Sequence, residues 1–520
     1  MTQRIDPTLL HPDRRFFLDY LAGEPSALCF FEHAPSEFQA ACSARASMTF
    51  PRATLASLLR QYNDRLDGSA ETQANIDRLA APGTVCVIGG QQAGFLGGPL
   101  LTVYKIRSVL HAASRLADRL HVPVVPIFWL ASEDHDFTEI NRLRFLDHAG
   151  DLHAISFDWD RRGLPIERLP ITPAVRTATD EAIALIPDTD RDARSLFLAD
   201  PSDDYATWHA RIWSRLFGAE GLILVEPRTI RELAGSFFHR ALRDEERITS
   251  ALVHAARDLE SSGYPIPIDP THAGRLFLFS DDGRRTRVVD PSDHVDRAED
   301  QPQRYSPDAL LRPLLVDSLF PTIASILGPS EIAYQSMIRP LYELFGVAQP
   351  LLYPRHGFTL ISRRQTALLE QCGLDISDLF SGRLNPAAVA EALASPTLLD
   401  LFATRRSAVR SELDPLGEPL AALDPGLPIR LRQTVDRIDQ QIVQLQQRAL
   451  RTDLARRGIS VRELHRLTTE VLPTGKPQER VLSMVHVVAQ HGLHWLSELE
   501  PSAPPDEYAH YVRILGDPHG

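Results

Sequence analysis

The chain has 520 residues, of which 43% are hydrophobic, and its 55 Lys and Arg residues against 68 Asp and Glu residues give a formal net charge of −13. This length supplies a large core and predicts two or three structural units, while the acidic balance argues against non-specific binding to nucleic acid or an anionic membrane. Four scattered cysteines without a C-x-x-C motif, and no apolar leader or long apolar run, favour a cytoplasmic protein over an exported or membrane-spanning one.

Residues 1 to about 83 are expected to be largely helical. Residues 53–66 place apolar side chains at helical spacing, and Ala81-Pro82-Gly83 ends this region. The next stretch predicts a βαβ unit. A short apolar run at 85–88 ends in Gly89-Gly90, apolar residues then recur at steps of three and four up to Leu120, and the continuous apolar run 122–130 is typical of a strand buried on both faces of a parallel sheet.

Polar residues follow the first strand of this unit, at the edge where open α/β sheets bind their ligands. The loop matches neither G-x-G-x-x-G nor the P-loop motif. Its glycines would let backbone N–H groups approach a ligand, and the start of the following helix, with Pro99 in its first turn, favours an anion. Glycines that serve only close packing are the alternative. The candidate binding residues here are Gly90, Gln91, Gln92, Gly97, Gly98 and, one turn into the helix, Lys105.

The second strand ends in Glu133, Asp134, His135 and Asp136. We expect Asp134 or Asp136 to orient His135 as a general base. A metal site is the competing interpretation because Asp and His ligate zinc or magnesium, but contiguous acidic residues without a distant His pair do not favour it, and no metal is predicted. Some of these acidic residues are alternatively expected to cap a helix that begins near Thr138.

After this unit the pattern predicts an insertion at about 150–210, a buried strand at 221–227 and a second insertion at about 260–310 with a hairpin turning at Asp282-Gly283. Gly328-Pro329 then precedes Tyr334 as Gly98-Pro99 precedes Tyr104, which suggests two helix starts facing one crevice, although so short a match also arises by chance. A closing strand, 350–356, carries Arg355. The residues that this reasoning adds to the site are Tyr104, Glu331, Tyr334 and Arg355, the last as a bidentate partner of a substrate carboxylate.

From about residue 363 the composition predicts long helices. Apolar residues from Leu431 to Ala449 alternate steps of four and three, a seam at heptad spacing that favours a two-helix antiparallel arm or a dimer contact. An amphipathic helix lying on the core is the alternative. Residues 472–480 break this pattern, and a last helix, 481–499, is expected to pack back on the core.

Several stretches together resemble the BshC family of bacillithiol biosynthesis, the cysteine-adding ligases of that pathway. They follow one another in family order along most of the chain. The resemblance implies an α/β fold with a Rossmann-like core to about residue 362 carrying two connecting-peptide insertions, a coiled-coil domain at 363–470 used in homodimerisation, and a C-terminal segment at 471–520 that packs on the core. The stretches are GGQQAGFLGGPLLTVYK (89–105), FWLASEDHDFTEIN (128–141), GPSEIAYQ (328–335), QPLLYPRHGFTLI (349–361) and LPTGKPQER (472–480).

The resemblance also implies the final step of bacillithiol synthesis, in which cysteine is joined to the amine of glucosamine-malate. Forming an amide from a free carboxylate requires activation of that carboxylate. The chain has neither a HIGH nor a KMSKS motif, so the use of ATP or another nucleotide stays open. A nucleotidyltransferase-like enzyme acting on another sugar or nucleotide, and a non-catalytic dimeric scaffold, are the alternative functions.

Overall fold

A computed structural model describes residues 3–134, 136–160, 163–382, 389, 391, 393 and 395–516. The chain divides into two compact units. The first comprises Met1–Leu146, Leu152–Leu360 and Pro477–Gly520, and the second comprises Asp147–Asp151 and Ile361–Lys476. Among the described residues, no helix is both long and apolar enough to cross a membrane.

The strands, numbered in chain order, are β1 (Arg4–Ile5), β2 (Val85–Gln91), β3 (Val124–Leu130), β4 (Arg142–Leu146), β5 (Leu152–Ser156), β6 (Ile223–Val225), β7 (Leu276–Phe279), β8 (Arg285–Arg287), β9 (Tyr305–Pro307), β10 (Thr322–Leu327), β11 (Leu351–Pro354), β12 (Gly357–Ser362) and β13 (His510–Leu515). The α-helices of the first unit are Pro7–Leu10, Arg15–Ala22, Pro25–Leu28, Phe38–Ala46, Arg52–Arg65, Ala70–Ala80, Leu101–Leu120, Phe137–Ile140, Pro173–Ile183, Arg191–Leu196, Tyr205–Phe217, Pro227–Ile230, Gly235–Arg243, Glu245–Ser261, Val295–Asp300, Leu311–Leu319, Pro329–Gln335, Arg339–Phe345, Gln478–Val481 and Met484–His491. Those of the second unit are Arg363–Gln371, Ile376–Phe380, Pro396–Leu413, Gly417–Leu423, Leu427–Arg456 and Val461–Val471.

The core of the first unit is a parallel sheet in the order β11-β10-β2-β3-β6. The chain begins in the middle with β2, adds β3 and β6 on one side, and then crosses over to add β10 and β11 on the other. The direction of winding therefore reverses between β2 and β10. This is the Rossmann-like topology expected from the sequence, and the reversal creates a crevice at the carboxyl ends of β2 and β10.

The predicted βαβ unit is confirmed, with one change at its first turn. Strand β2 continues past the apolar run through Gly89 and Gly90 to Gln91. A Cβ atom at Gly89 would lie 2.6 Å from Cγ2 of Val109, and one at Gly90 would lie 2.9 Å from the Trp129 carbonyl oxygen. These two glycines are therefore needed because a helix and a neighbouring strand pack directly on the backbone.

Most of the elements predicted around this unit are present. The early helix predicted at 53–66 is observed as Arg52–Arg65, and the predicted hairpin joins β7 to antiparallel β8 with Gly283 in the left-handed region, at φ +86°. The single helix predicted at 481–499 is wrong. Ser483 caps a new helix through the Val485 N–H, and Gly492, at φ +64°, ends it.

In the second unit the predicted heptad seam lies on the long helix Leu427–Arg456. This helix contacts Pro396–Leu413, and the order of the ion pairs between them is antiparallel. The predicted two-helix antiparallel arrangement is therefore present. The ion pairs are Arg406–Asp439, at 2.7 Å, and Arg410–Asp436, at 3.8 Å.

Candidate functional site

A cavity of about 510 Å³ lies where the sheet reverses direction. The carboxyl end of β2 forms one wall with Gly90, Gln91 and Gln92, and the start of the helix Pro329–Gln335 forms the facing wall. Both walls follow directly from the parallel pairing of β2 with β10, which brings their carboxyl ends to one edge. The structure thus places two of the predicted loops, far apart in the chain, on one cavity.

Lys105 and Glu331 connect these two walls. The Lys105 ammonium is buried, donates to the Gly90 carbonyl at 2.8 Å and forms an ion pair with Glu331 Oε2 at 2.6 Å. Burial lowers the pKa of Lys105, and the Glu331 carboxylate opposes that effect. Glu331 also accepts the Gly328 N–H at 2.7 Å, so it caps its own helix. The pair consequently fixes the position of β2 relative to the helix across the crevice.

Arg312 lies on the cavity wall without an ion pair among the described residues. Burial works against its charged form, but Tyr334 and the nearby carboxylates raise the pKa of its guanidinium, so it stays cationic. Tyr334 also lines the cavity, and burial raises the pKa of its hydroxyl to about 12, so this group is a neutral donor at ordinary pH. Together they supply a positive charge and a hydroxyl for an anionic ligand.

Carboxylates line another part of the cavity. Asp134 Oδ2 accepts a hydrogen bond from Gln92 Nε2 at 3.0 Å, and its other oxygen lies 3.8 Å from Arg285 Nη1. Glu139 lines the cavity as well, and burial together with the charges of Asp136 and Asp134 raises its pKa. Side chains of this kind can bind an ammonium group or accept its proton.

Arg355 lines the cavity, but its planar fork is already occupied. Its two terminal nitrogens form hydrogen bonds of 2.9 and 2.6 Å with the two carboxylate oxygens of Glu479, which comes from the C-terminal segment. Both side chains are buried. The structure therefore corrects the expectation that Arg355 pairs bidentately with a substrate carboxylate, because a protein carboxylate holds that position.

Three other predicted binding residues do not line the cavity. Tyr104 is fully buried with its ring centroid 5.0 Å from that of Phe358. Gly97 packs against Met484, and the carbonyl of Gly98 accepts the Met484 N–H at 3.3 Å. At the start of the Leu101–Leu120 helix, Leu100 N–H donates to the Leu482 carbonyl at 2.9 Å, so this donor of the expected anion site is already bound, although Leu101 itself lines the cavity. The C-terminal segment fills this space.

The acidic cluster after β3 divides between several tasks. Glu133 is buried, 3.6 Å from Arg231 Nη2, and burial raises its pKa. Asp136 accepts the Thr138 N–H at 3.1 Å and so caps the helix Phe137–Ile140, as one of the alternatives predicted. Of this cluster, Asp134 lines the cavity. His135 lies outside the described residues, and its role as general base stays a prediction.

The structure tests a metal site only for the residues of this cluster that it describes. Within the ranges that the structure describes, no group of three His, Cys, Asp or Glu side chains is arranged to hold a metal ion. The alternative metal site of Asp134, His135 and Asp136 includes a residue outside those ranges.

Sequence reasoning missed Arg312, Glu139, Glu479 and Arg480. Arg312 sits in an ordinary amphipathic helix, Leu311–Leu319, where nothing local distinguishes it from a surface arginine. Glu479 and Arg480 belong to the stretch 472–480 that supported the family resemblance, so a signal was present there without an indication of its chemistry.

The sheet order and the cavity define a Rossmann-type α/β protein whose site presents a guanidinium group and carboxylates to a small ligand. Comparison with family models then identifies the family. The model of the BshC N-terminal Rossmann-like domain of bacillithiol biosynthesis matches residues 4–356, and that of the BshC C-terminal coiled-coil domain matches residues 358–515. The chain belongs to the BshC family of bacillithiol biosynthesis.

Curated relatives are similar over most of their length. A protein of Geobacillus thermodenitrificans is 31% identical over 494 residues, which cover 89% of this chain and 90% of the relative. One from Geobacillus sp. is 30% identical over 479 residues, covering 86% and 88%, and one from Salinibacter ruber is 27% identical over 543 residues, covering 98% of each. Each relative carries the name "Putative cysteine ligase BshC".

Proposed function

We propose that this chain is a ligase that joins the carboxylate of cysteine to the amine of glucosamine-malate, the last step of bacillithiol synthesis. Membership in the BshC family and the names of the relatives support the reaction class. One observation supports the choice of substrate: the same cavity is lined by the Arg312 guanidinium, which has no ion pair among the described residues, and by the carboxylates of Asp134 and Glu139. Glucosamine-malate carries carboxylates and an amine, which are the complementary groups.

The walls of the cavity suggest how this substrate binds. Arg312 would bind a malate carboxylate through charge-assisted hydrogen bonds. The amide groups of Gln91 and Gln92 both donate and accept hydrogen bonds, which suits sugar hydroxyl groups. Lys105 and Glu331 would shape the floor between them, since each already neutralises the other.

The acidic residues would act on the amine. An amine attacks a carbonyl carbon only in its neutral form, and it loses a further proton as the C–N bond forms. Asp134 and Glu139 would bind the ammonium group, and His135, oriented by Asp134 or Asp136, is proposed as the general base that accepts the proton. One carboxylate oxygen of cysteine must depart with an activating group, so the reaction requires a co-substrate; ATP is the one to test.

We also propose that the second unit mediates homodimerisation. The matched coiled-coil family model supports this, and Leu401, Leu423 and Leu445 are exposed apolar side chains on its helices. A single molecular mass near twice 58.0 kDa in light scattering is expected for the full chain. A monomer at micromolar concentration would contradict the proposal.

Turnover tests the proposed reaction. The purified full-length protein is incubated with cysteine and glucosamine-malate, with and without ATP, and the thiol product is measured by mass spectrometry. R312M should lower kcat/KM about 10- to 100-fold, because a hydrogen bond to a charged group contributes about 1.5–3 kcal/mol. R257M removes an exposed arginine elsewhere and serves as the matched control. Absence of product under both conditions, or wild-type turnover by R312M, would refute the proposal.

A further inference from the structure

Two consecutive side chains hold the segment that follows Pro477, one bound to β12 of the three-stranded sheet β1-β13-β12 and one bound at the end of β11 of the core sheet. The first is Gln478, which is buried and binds the backbone of Leu360 in β12 on both sides. Its Oε1 accepts the Leu360 N–H at 2.9 Å, and its Nε2 donates to the Leu360 carbonyl at 3.1 Å. The side-chain amide thus makes the same two hydrogen bonds that a neighbouring strand would make.

The second is Glu479, whose bidentate contact with Arg355 ties the segment to the carboxyl end of β11. The two residues are 3% and 6% exposed, so the pair is shielded from water. Burial opposes ionisation, but the Arg355 guanidinium outweighs it and lowers the pKa of Glu479 to about 2. Gly357 makes room for this arrangement, because a Cβ atom there would overlap the ring of His510 and lie 3.1 Å from Glu479 Oε2.

Arg480, the next residue, differs from both. It is exposed, it lines the cavity, and it makes no ion pair among the described residues. Arg355 contributes little net charge to the cavity because Glu479 pairs with it bidentately, whereas Glu479 acts on the charge of Arg480 only beyond ion-pair distance. Two anchored side chains therefore precede one cationic side chain that is directed to the ligand space.

We propose that Arg480 binds a carboxylate of the malate group and that Glu479 is a positioning residue, which holds the segment so that Arg480 reaches the cavity. This inference rests on the proposed function and specifies which part of the substrate the C-terminal segment recognises. Arg312 and Arg480 then provide two guanidinium groups for the two carboxylates of malate.

Calorimetric titration of the full-length protein tests it with two probes. One is glucosamine-malate, and the other is a methyl glycoside of glucosamine, which has the sugar and the amine but no carboxylate. R480M should weaken glucosamine-malate binding tenfold or more and leave binding of the methyl glycoside unchanged, while R480K should recover part of the loss. A general loss of structure would weaken both probes alike.

The positioning role is tested with E479Q and E479D. E479Q keeps the shape but removes the charge that holds Arg355, and it should reproduce the probe-selective loss of R480M. E479D keeps the charge with a shorter reach, should give a smaller selective loss, and decides the matter if E479Q does not fold. Unchanged binding in R480M would overturn the assignment of Arg480. If R480M loses binding of glucosamine-malate selectively, but neither E479D nor a folded E479Q does, the positioning role of Glu479 would be overturned. No binding of glucosamine-malate by the wild type would instead refute the proposed function, and this inference with it.

Discussion

Replacing Glu331 with glutamine separates the two interactions that this residue makes. The amide oxygen of the new side chain can still accept the Gly328 N–H, so the helix cap is retained. Lys105 loses its charged partner, and the buried ammonium group keeps only neutral acceptors: the Gly90 carbonyl, the Gln91 amide and the new amide oxygen, since Oε2 of Glu331 accepts from both Gly328 N–H and Lys105 Nζ. E331A removes both interactions. E331Q therefore measures the charge of the pair, and E331A adds the loss of the acceptor oxygen that Lys105 and Gly328 share.

The structure sets the expected size of each effect. Breaking a buried ion pair costs about 3–5 kcal/mol. Because Glu331 is 27% exposed and Lys105 keeps the Gly90 carbonyl at 2.8 Å, we expect E331Q to lose about 2–3 kcal/mol of unfolding free energy. E331A should lose about 1 kcal/mol more, the usual contribution of a cap. K105M/E331Q should be more stable than E331Q, since no unpaired charge remains buried.

Urea unfolding followed by tryptophan fluorescence measures these differences. All five tryptophans belong to the first unit, so the signal reports on the unit that contains the pair. Burial lowers the pKa of Lys105, and loss of Glu331 lowers it further. Between the lowered pKa of Lys105 in the folded protein and the value of about 10.4 in the unfolded chain, the unfolded chain binds more protons, so the free energy of unfolding rises with pH. This rise is larger in E331Q, where the folded pKa is lower, so its stability deficit relative to the wild type should shrink from about pH 7 to about pH 9.5. A deficit below about 0.5 kcal/mol at pH 7, or one that grows with pH, would refute this reasoning.

Three further predictions follow from particular contacts. Y104F removes a hydroxyl that is buried without a hydrogen-bond partner in the described part of the chain, so turnover should stay within about twofold of wild type; a large fall in kcat/KM would return Tyr104 to the site. G357A should lose about 1–3 kcal/mol in urea unfolding because its methyl group overlaps the His510 ring, and unchanged stability would contradict the packing described. The pKa of Glu479 is about 2 in the folded protein and about 4.3 in the unfolded chain, so the stability that this carboxylate contributes is present above about pH 4.3 and is lost as the pH falls towards 2. The free energy of unfolding of E479Q should therefore fall less steeply with acid than that of the wild type. Parallel plots of unfolding free energy against pH would contradict this prediction.

The sequence predicted the parts of the fold that depend on local patterns. The βαβ unit from Val85 to Leu130 follows from apolar periodicity and from glycines at a strand end. The heptad seam likewise predicted the long helix of the second unit, but it left open whether a second helix of the chain, a dimer partner or the core packs on it. Helix ends were harder to predict, because Ser483 and Gly492 interrupt a continuous apolar pattern with a cap and a left-handed residue.

The site was only partly predictable because its contacts join distant residues. The echo between the two Gly-Pro pairs brought Gly98 and Tyr104 into the predicted site, but the carbonyl of Gly98 binds the C-terminal segment and Tyr104 is buried against Phe358. Arg355 was expected to bind substrate, and its partner is 124 positions away in the chain. Arg312 has no local signal at all, since its importance comes from a position on the cavity wall without an ion pair within the described residues, which only the fold reveals.

The location of the substrate is the most direct test of this account. A crystal structure of the full-length protein with glucosamine-malate should show the malate carboxylates within hydrogen-bonding distance of Arg312, and the amine near Asp134 and Glu139, at the carboxyl ends of β2 and β10. Electron density for the ligand at any other place on the protein, with this cavity containing only solvent, would contradict the account.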